Sequence, residues 1–167
     1  MFRTLLAVGL STALLCGCAA APRSSQPVAR AAAQPAGTAH TVSLRSGFSP
    51  DPYELDVTAG GNFLASARSA SCTGYIADTP DLVLNFTAGT QGYELYIFVY
   101  SDADTTLVVR TPSGAWYCND DDYIGDTLDP WVTISKPQSG TYSIWVGTAA
   151  KGAFPDATLF VSEYDSF

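Results

Sequence analysis

Alternating apolar and polar residues fill the chain from Phe48 onward, in short runs separated by Gly, Pro, Asn and Asp. Leu82, Leu84 and Phe86 share one face of such a run, and the residues between them face the other way. A period of two residues is typical of a β-strand with one buried face. We therefore predict nine strands: Tyr53–Val57, Asn62–Ala67, Asp81–Phe86, Tyr93–Tyr100, Thr105–Arg110, Trp116–Cys118, Trp131–Ile134, Thr141–Gly147 and Ala157–Ser162.

The number and spacing of these runs indicate the fold class. Nine short strands separated by turn signals favour an all-β domain over residues 41–167, a two-sheet antiparallel β-sandwich of jelly-roll type. The turns at 111–114 and 136–140 combine a Pro, which sets φ, with a Gly, which accepts positive φ. No run after residue 40 has the capped 3.6-residue period of a helix.

The N-terminal residues 1–17 have the pattern of an export signal, with an apolar run that is too short to span a bilayer. Leu15, Gly17 and Cys18 match the end of a lipoprotein signal peptide, in which the cysteine is acylated after cleavage. We predict lipidation of Cys18, attachment to a membrane and, from Ala19, an outer-membrane address in a Gram-negative cell. Conventional cleavage, giving a soluble periplasmic or secreted protein, is the alternative.

Residues 18–40 are rich in Ala, Pro, Ser and Gln and contain no acidic residue. This composition leaves little apolar surface to bury, so we predict a disordered tether between the anchor and the domain. The only histidine, His40, is expected to be a solvated residue of this tether. Without an imidazole in the fold, no base is available for a Ser–His–Asp or Cys–His device, and we assign no catalytic residue.

The charge of the predicted domain excludes one class of partner. Sixteen acidic residues and five basic ones follow residue 40, which gives a formal charge of −11. Nucleic-acid binding requires clustered Lys and Arg, so we predict no nucleic-acid partner. The domain itself is not expected to adhere to anionic lipid either.

Four cysteines divide into two pairs. Cys16 leaves with the export signal and Cys18 is the lipidation site, so Cys72 and Cys118 remain in an exported, oxidising setting. We predict a disulfide between them, with two buried free thiols as the alternative. No CxxC spacing indicates a zinc site or a redox centre.

Oxygen-bearing side chains are concentrated in "WYCNDDDYIGDTLDPW", residues 116–131, and in "SDADTT", residues 101–106. Calcium binds six to eight hard oxygen ligands, which irregular loops often supply. The alternative is that the aspartates cap turns and are otherwise hydrated. The two loops would share a site only if the intervening hairpin brings them to the same end of the sandwich. The candidate Ca²⁺ ligands are Asp102, Asp104, Asn119, Asp120, Asp121, Asp122, Asp126 and Asp129.

Tryptophans in a small sandwich either fill the core or form a platform that stacks on a carbohydrate or peptide. Trp145 alternates out of phase with Ile144 and Val146, so we predict that it is exposed and name it as the candidate ligand-binding residue. Trp116 is two residues from Cys118, so the same strand can pack it against the disulfide.

Three segments resemble a bacterial exported domain related to the pre-peptidase C-terminal domain, a β-sandwich often appended to secreted proteases. They are "CTGYIADTPDLVLNFTAG", "SDADTTLVVRTPSGAWYCNDDD" and "KPQSGTYSIWVGT", and the resemblance covers about residues 47–163. It implies a β-sandwich fold for this part of the chain. Some relatives bind calcium, but their sites do not map residue by residue onto this loop.

The leading hypothesis is a non-catalytic lipoprotein module of the cell envelope that binds an envelope protein or polysaccharide, with structural calcium as an option. The first alternative is a purely structural surface lipoprotein without metal. The second is a hydrolase or a protease accessory domain. A binding module requires an exposed aromatic cluster, which a structural protein does not.

Overall fold

Strands account for almost all the regular structure in the computed structural model, which describes residues 39–121 and 128–165. A single turn of 3-10 helix, Ala65–Ala67, follows the third strand. The strands are β1 (His40–Arg45), β2 (Tyr53–Thr58), β3 (Phe63–Leu64), β4 (Tyr75–Ile76), β5 (Leu82–Thr87), β6 (Leu95–Tyr100), β7 (Thr105–Arg110), β8 (Trp116–Asn119), β9 (Trp131–Ile134), β10 (Gly140–Thr148) and β11 (Asp156–Ser162).

The first sheet is built around β10, which is long enough to pair with several strands. It pairs antiparallel with β5 along residues 140–144 and with β7 along residues 143–148. β1 then pairs with β5, and β8 pairs with β7. β4 pairs with the last residue of β10, and β3 pairs with β4.

The second sheet has four strands in the order β2-β11-β6-β9, and every pair is antiparallel. The two sheets bury their facing sides against each other, so the predicted all-β sandwich is confirmed. Leu82, Leu84 and Phe86 share the buried face of β5, as their period predicts, and Tyr142 and Ile144 do so on β10. Fully burying an apolar side chain of this size contributes about 1.5–3 kcal/mol.

Four features of the strand prediction were wrong. β1 is not among the predicted strands, and because it begins at His40, this residue lies in the fold and not in a solvated tether. β4 was missed because two residues are too few to show a period. The predicted strand Asn62–Ala67 forms only the two residues of β3 before the 3-10 turn begins. β1 pairs parallel with β5, because the chain passes through the second sheet before it returns to the first.

A second, smaller core lies on the outer face of the first sheet. The segment 65–76 crosses this face and buries Ala65, Cys72 and Ile76 against Val108 and Trp145. We call this segment the cover. It is tied to β8 by the disulfide between Cys72 and Cys118, whose Cα atoms are 5.2 Å apart, so the predicted disulfide is confirmed. The first sheet is thus apolar on both faces where the cover lies.

Candidate functional site

Aromatic side chains occupy the outer face of β6, opposite the core. The aliphatic residues of this strand at positions 95, 97 and 99 are fully buried between the sheets. Because successive side chains of a strand point to opposite faces, Tyr96, Phe98 and Tyr100 lie on the outer face. The solvent-facing side of an antiparallel sheet is usually polar, so three aromatic residues there are a departure from the expected pattern.

Neighbouring strands extend this aromatic surface in register. Phe98 lies opposite Trp131 of β9 on one side and Phe160 of β11 on the other. The Phe98 ring stacks on Trp131 with centroids 4.5 Å apart and planes at 11°. It stacks on Phe160 at 4.9 Å and 6°. Three parallel rings therefore cross three strands.

Two tyrosines flank the stacked rings, and together the five residues Tyr96, Phe98, Tyr100, Trp131 and Phe160 form what we call the aromatic row. The centroid of Tyr96 is 5.8 Å from that of Trp131, and Tyr100 is 5.3 Å from Phe160. Phe98 is only 1% exposed, whereas Tyr100 is 44% exposed. The centre of the row is buried and stacked, and its end at Tyr100 is open to solvent.

One end of the aromatic row is held by a hydrogen bond that also alters two pKa values. The Tyr96 hydroxyl donates to Glu94 Oε2 at 2.6 Å. This bond, with a smaller contribution from burial, raises the pKa of Tyr96 to about 12. The same bond lowers the pKa of Glu94, because it stabilises the carboxylate. Tyr96 is therefore a neutral donor and Glu94 an anion at physiological pH.

The other end of the row opens into a groove of about 660 Å³, which we call the acidic groove. Tyr100 lines this groove together with four carboxylates, those of Asp56, Asp102, Asp129 and Asp156. Two of the acids are fixed by hydrogen bonds. Thr158 Oγ1 donates to Asp56 at 3.1 Å, and the Ser101 backbone N–H donates to Asp129 at 3.1 Å.

The predicted calcium ligands are only partly brought together. Asp102 and Asp129 line the acidic groove, so the two predicted loops do meet there. Asp104 lines a different cavity, and Asp120 accepts a hydrogen bond from Thr73 Oγ1 at 3.0 Å. Asn119 accepts one from the Trp131 backbone N–H at 3.2 Å, which links β8 to β9.

Other predicted ligands add no metal geometry. Asp121 is exposed, and Asp122 and Asp126 lie outside the described residues. Across residues 39–121 and 128–165 no group of three or more His, Cys, Asp or Glu side chains is arranged to hold a metal ion. The calcium site therefore stays a prediction.

Trp145 does not have the exposure that we predicted. Trp145 lies on the outer face of β10, opposite Ile144 and Val146, as its position in the alternation predicts. The cover packs over it, however, and leaves it 5% exposed. Trp116 lies 5.7 Å from it, centroid to centroid, and packs with Cys118 against the same small core. Trp116 thus packs against the cluster that contains Cys72 of the disulfide, and Trp145 is a core residue and not an exposed ligand platform.

His40 also differs from its predicted environment, since its Nε2 is 2.9 Å from the Tyr53 hydroxyl. Two further carboxylates, one buried and one half-buried, lie elsewhere in the fold. Glu163 is 6% exposed and accepts a hydrogen bond from the Gly47 backbone N–H. Asp81 accepts one from the Val146 N–H at 2.8 Å, yet its burial raises its pKa to about 7. Neither group lines the acidic groove.

The aromatic row was missed by the sequence analysis, although a signal was present. In "YELYIFVY" the period of two puts Tyr96, Phe98 and Tyr100 on one face and three aliphatic residues on the other. The prediction considered the tryptophans alone and therefore named Trp145 as the ligand-binding residue. The partners Trp131 and Phe160 required the strand order, which a single sequence does not show.

Comparisons with known proteins place the chain in no family. No family model matches the chain, and no curated protein matches it. Among solved structures, PliG of Aeromonas hydrophila, described as a periplasmic lysozyme inhibitor of g-type lysozyme, is 15% identical. The alignment covers 75% of this chain and 98% of that chain, with a TM-score of 0.37. A likeness of this size carries no argument about fold or function.

Membrane attachment is a separate question from the site. Within residues 39–121 and 128–165, no helix has the length and apolar character that crossing a bilayer requires.

Proposed function

We propose that this chain is a non-catalytic binding module of the cell envelope, and that its binding surface is the aromatic row with the adjoining acidic groove. The observation that carries the proposal is the row itself. Five rings lie on the outer face of the second sheet, and Tyr100 at their end is 44% exposed. Aromatic side chains bury large areas at low entropic cost, which is why they are enriched in binding surfaces.

The location of the module in the envelope rests on the sequence. The signal-like residues 1–17 and the lipidation pattern at Cys18 support acylation and attachment to a membrane, with an outer-membrane address. The composition of residues 18–40 supports a tether that lets the domain reach a partner at a distance from the membrane. The partner is an envelope protein or polysaccharide. The proposal includes a relation to the pre-peptidase C-terminal domain, which the two-sheet fold supports.

Calcium would have a structural role in this proposal. Asp102 and Asp129, which come from the two predicted calcium loops, both line the acidic groove. A cation between them would hold the β6–β7 and β8–β9 connections together at the end of the aromatic row. The proposed binding surface does not require calcium.

The experiment compares two exposed tyrosines, one on each sheet. Tyr100 is 44% exposed on the second sheet, and Tyr117 is 41% exposed on β8 of the first sheet. The full-length protein with Cys18→Ser, which removes the proposed anchor, is incubated with washed envelopes of Gram-negative cells and sedimented. The bound fraction is measured against protein concentration, with melting temperature as the check on folding.

We expect saturable binding that Tyr100→Ala weakens about tenfold and Tyr117→Ala leaves within about twofold, because only Tyr100 belongs to the aromatic row. Equal losses of binding in Tyr100→Ala and Tyr117→Ala would mean that the aromatic row is not the specific binding surface. Absence of saturable binding in the parent protein would overturn the proposal and favour the purely structural lipoprotein.

A further inference from the structure

The outer face of the second sheet is acidic as well as aromatic. Its four strands contain no Lys, Arg or His. Glu54 lies opposite Phe160, which lies opposite Phe98, so one line across the sheet runs from an acid to the stacked rings. A parallel line joins Asp56, Thr158 and Tyr100. Both lines therefore begin with an exposed acid on the edge strand β2 and end at the aromatic row.

On the outer face of the first sheet, arginine side chains lie over the aromatic rings. The guanidinium carbon of Arg68 is 5.8 Å from the centroid of Trp145, and that of Arg110 is 5.7 Å from the centroid of Trp116. These are cation–π distances. Arg68 also pairs with Asp78 at 2.8 Å, which is the one ion pair within the described residues. Ring, guanidinium and carboxylate thus occur together, all supplied by one chain.

On the second sheet the chain supplies the rings and the carboxylates but its strands supply no cation. Adjacent strands are about 4.8 Å apart, so Asp56 on β2 and Tyr100 on β6, separated by one strand, are about 10 Å apart along the sheet. A guanidinium over the exposed ring of Tyr100 would therefore lie close to the carboxylates of the acidic groove. Arginine both stacks on aromatic rings and pairs with carboxylates.

We infer that the occupant of this face is a basic protein segment, whose arginine side chains stack on the aromatic row and pair with the carboxylates of the acidic groove. This inference rests on the proposed function and names the chemistry of its partner. A neutral polysaccharide would use the rings but gain no charge pairing from the four carboxylates. An anionic polymer would be repelled by them. Charge complementarity therefore favours the basic segment.

The test uses a soluble dodecapeptide of alternating arginine and serine, and the same peptide with citrulline in place of arginine. Citrulline keeps the shape and removes the charge. A neutral chitin hexasaccharide is the third probe. Binding to the full-length Cys18→Ser protein is measured by isothermal titration calorimetry at low and at physiological salt, in buffer with a chelator.

Two double variants carry the same change in net charge. Asp56→Asn/Asp156→Asn removes two carboxylates of the acidic groove, whereas Asp120→Asn/Asp121→Asn removes two acids outside it. Tyr100→Ala and Tyr117→Ala again form the aromatic pair. We expect the groove double variant and Tyr100→Ala each to weaken the arginine peptide about tenfold, with both controls within about twofold of the parent. The citrulline peptide is expected to bind at least tenfold more weakly than the arginine peptide.

The failures of the inference and of the proposed function are distinguishable. Equal losses in the two double variants would show attraction to net charge only, and equal binding of the citrulline peptide would show that charge is not recognised. Either result overturns the inference. Binding of the hexasaccharide in place of the arginine peptide, with loss in Tyr100→Ala, overturns the inference and leaves the proposed function standing. No binding of any probe overturns the inference, and the envelope assay then decides the proposed function alone.

Discussion

The disulfide provides a quantitative test of how the first sheet is stabilised. Cys72 and Cys118 are 46 residues apart in the sequence. In the chain-entropy model, closing a loop of that length restricts the unfolded chain by about 4 kcal/mol. We expect Cys72→Ala/Cys118→Ala to lower the free energy of unfolding by about that amount. Each substitution removes one sulfur atom, from the buried Cys72 and the half-buried Cys118, and the cavity cost is small because the Cβ atoms stay in place.

A local consequence follows from the position of the bridge. It ties the cover to β8, and the cover leaves Trp145 only 5% exposed. Without the bridge, the cover is held by its small apolar core, by the pairing of β4 at its end and by the Thr73–Asp120 hydrogen bond. The Arg68–Asp78 pair is exposed and contributes at most about 1 kcal/mol. We therefore expect the cover to open before the sandwich unfolds, so that the backbone next to the already exposed Arg68 side chain becomes accessible to trypsin.

Equilibrium urea unfolding, followed by circular dichroism, gives the free energy, and timed trypsin digestion gives the cleavage at Arg68. Wild-type protein in reductant should match the double variant in both assays. Tyr117→Ala, on the same strand as Cys118, controls for a general weakening of β8 and should leave the trypsin rate unchanged. A loss below about 1 kcal/mol, or a trypsin rate equal to that of the oxidised protein, would refute the reasoning. Binding through the aromatic row, on the other sheet, should be unaffected.

Three further predictions concern other parts of the chain. The pKa of Asp81 is about 7 in the fold and 3.8 in the unfolded chain. Its contribution to the free energy of unfolding is therefore complete below about pH 4 and is lost as pH rises through 7. Between pH 5 and 8, the free energy of urea unfolding should therefore fall more for wild type than for Asp81→Asn, by up to about 3 kcal/mol. Parallel pH dependences of the two proteins would contradict this. Cys18→Ser should abolish incorporation of labelled fatty acid and release the protein from the membrane fraction, and unchanged labelling would place the anchor elsewhere. Millimolar calcium should raise the melting temperature of wild type by several degrees and that of Asp102→Asn/Asp129→Asn by none, because a ligand of the folded state stabilises it by mass action; identical shifts would place the cation elsewhere.

Much of the fold could be predicted from the sequence because the core obeys a local rule. Leu82, Leu84 and Phe86 are buried as their period requires, and eight of the nine predicted strands overlap strands of nearly the same extent. The errors arise where local pattern carries no information. β4 has two residues, and the parallel pairing of β1 with β5 depends on a long-range crossover. His40 was assigned to the tether because composition changes there only gradually.

The candidate site was predictable only in part, because exposure is a property of the whole fold. Trp145 and Tyr100 both lie on outer faces of their sheets, and period-two reasoning gives that phase for each. The difference between them, 5% against 44% exposed, comes from the cover, which the disulfide places over one sheet and not over the other. A single sequence contains the two cysteines but not the face that the segment between them crosses.

The two outer faces therefore give the domain opposite properties from similar residues. On the first sheet, aromatic rings are closed off by a segment of the chain and by two of its own arginines. On the second sheet, aromatic rings and carboxylates are arranged in register across strands that contain no cationic residue. Packing of the rings does not require acids beside them, since charged groups at an exposed surface contribute little to stability. A partner that supplies the cation accounts for both the rings and the acids, and this is why the arginine peptide, and not the melting temperature, is the decisive measurement.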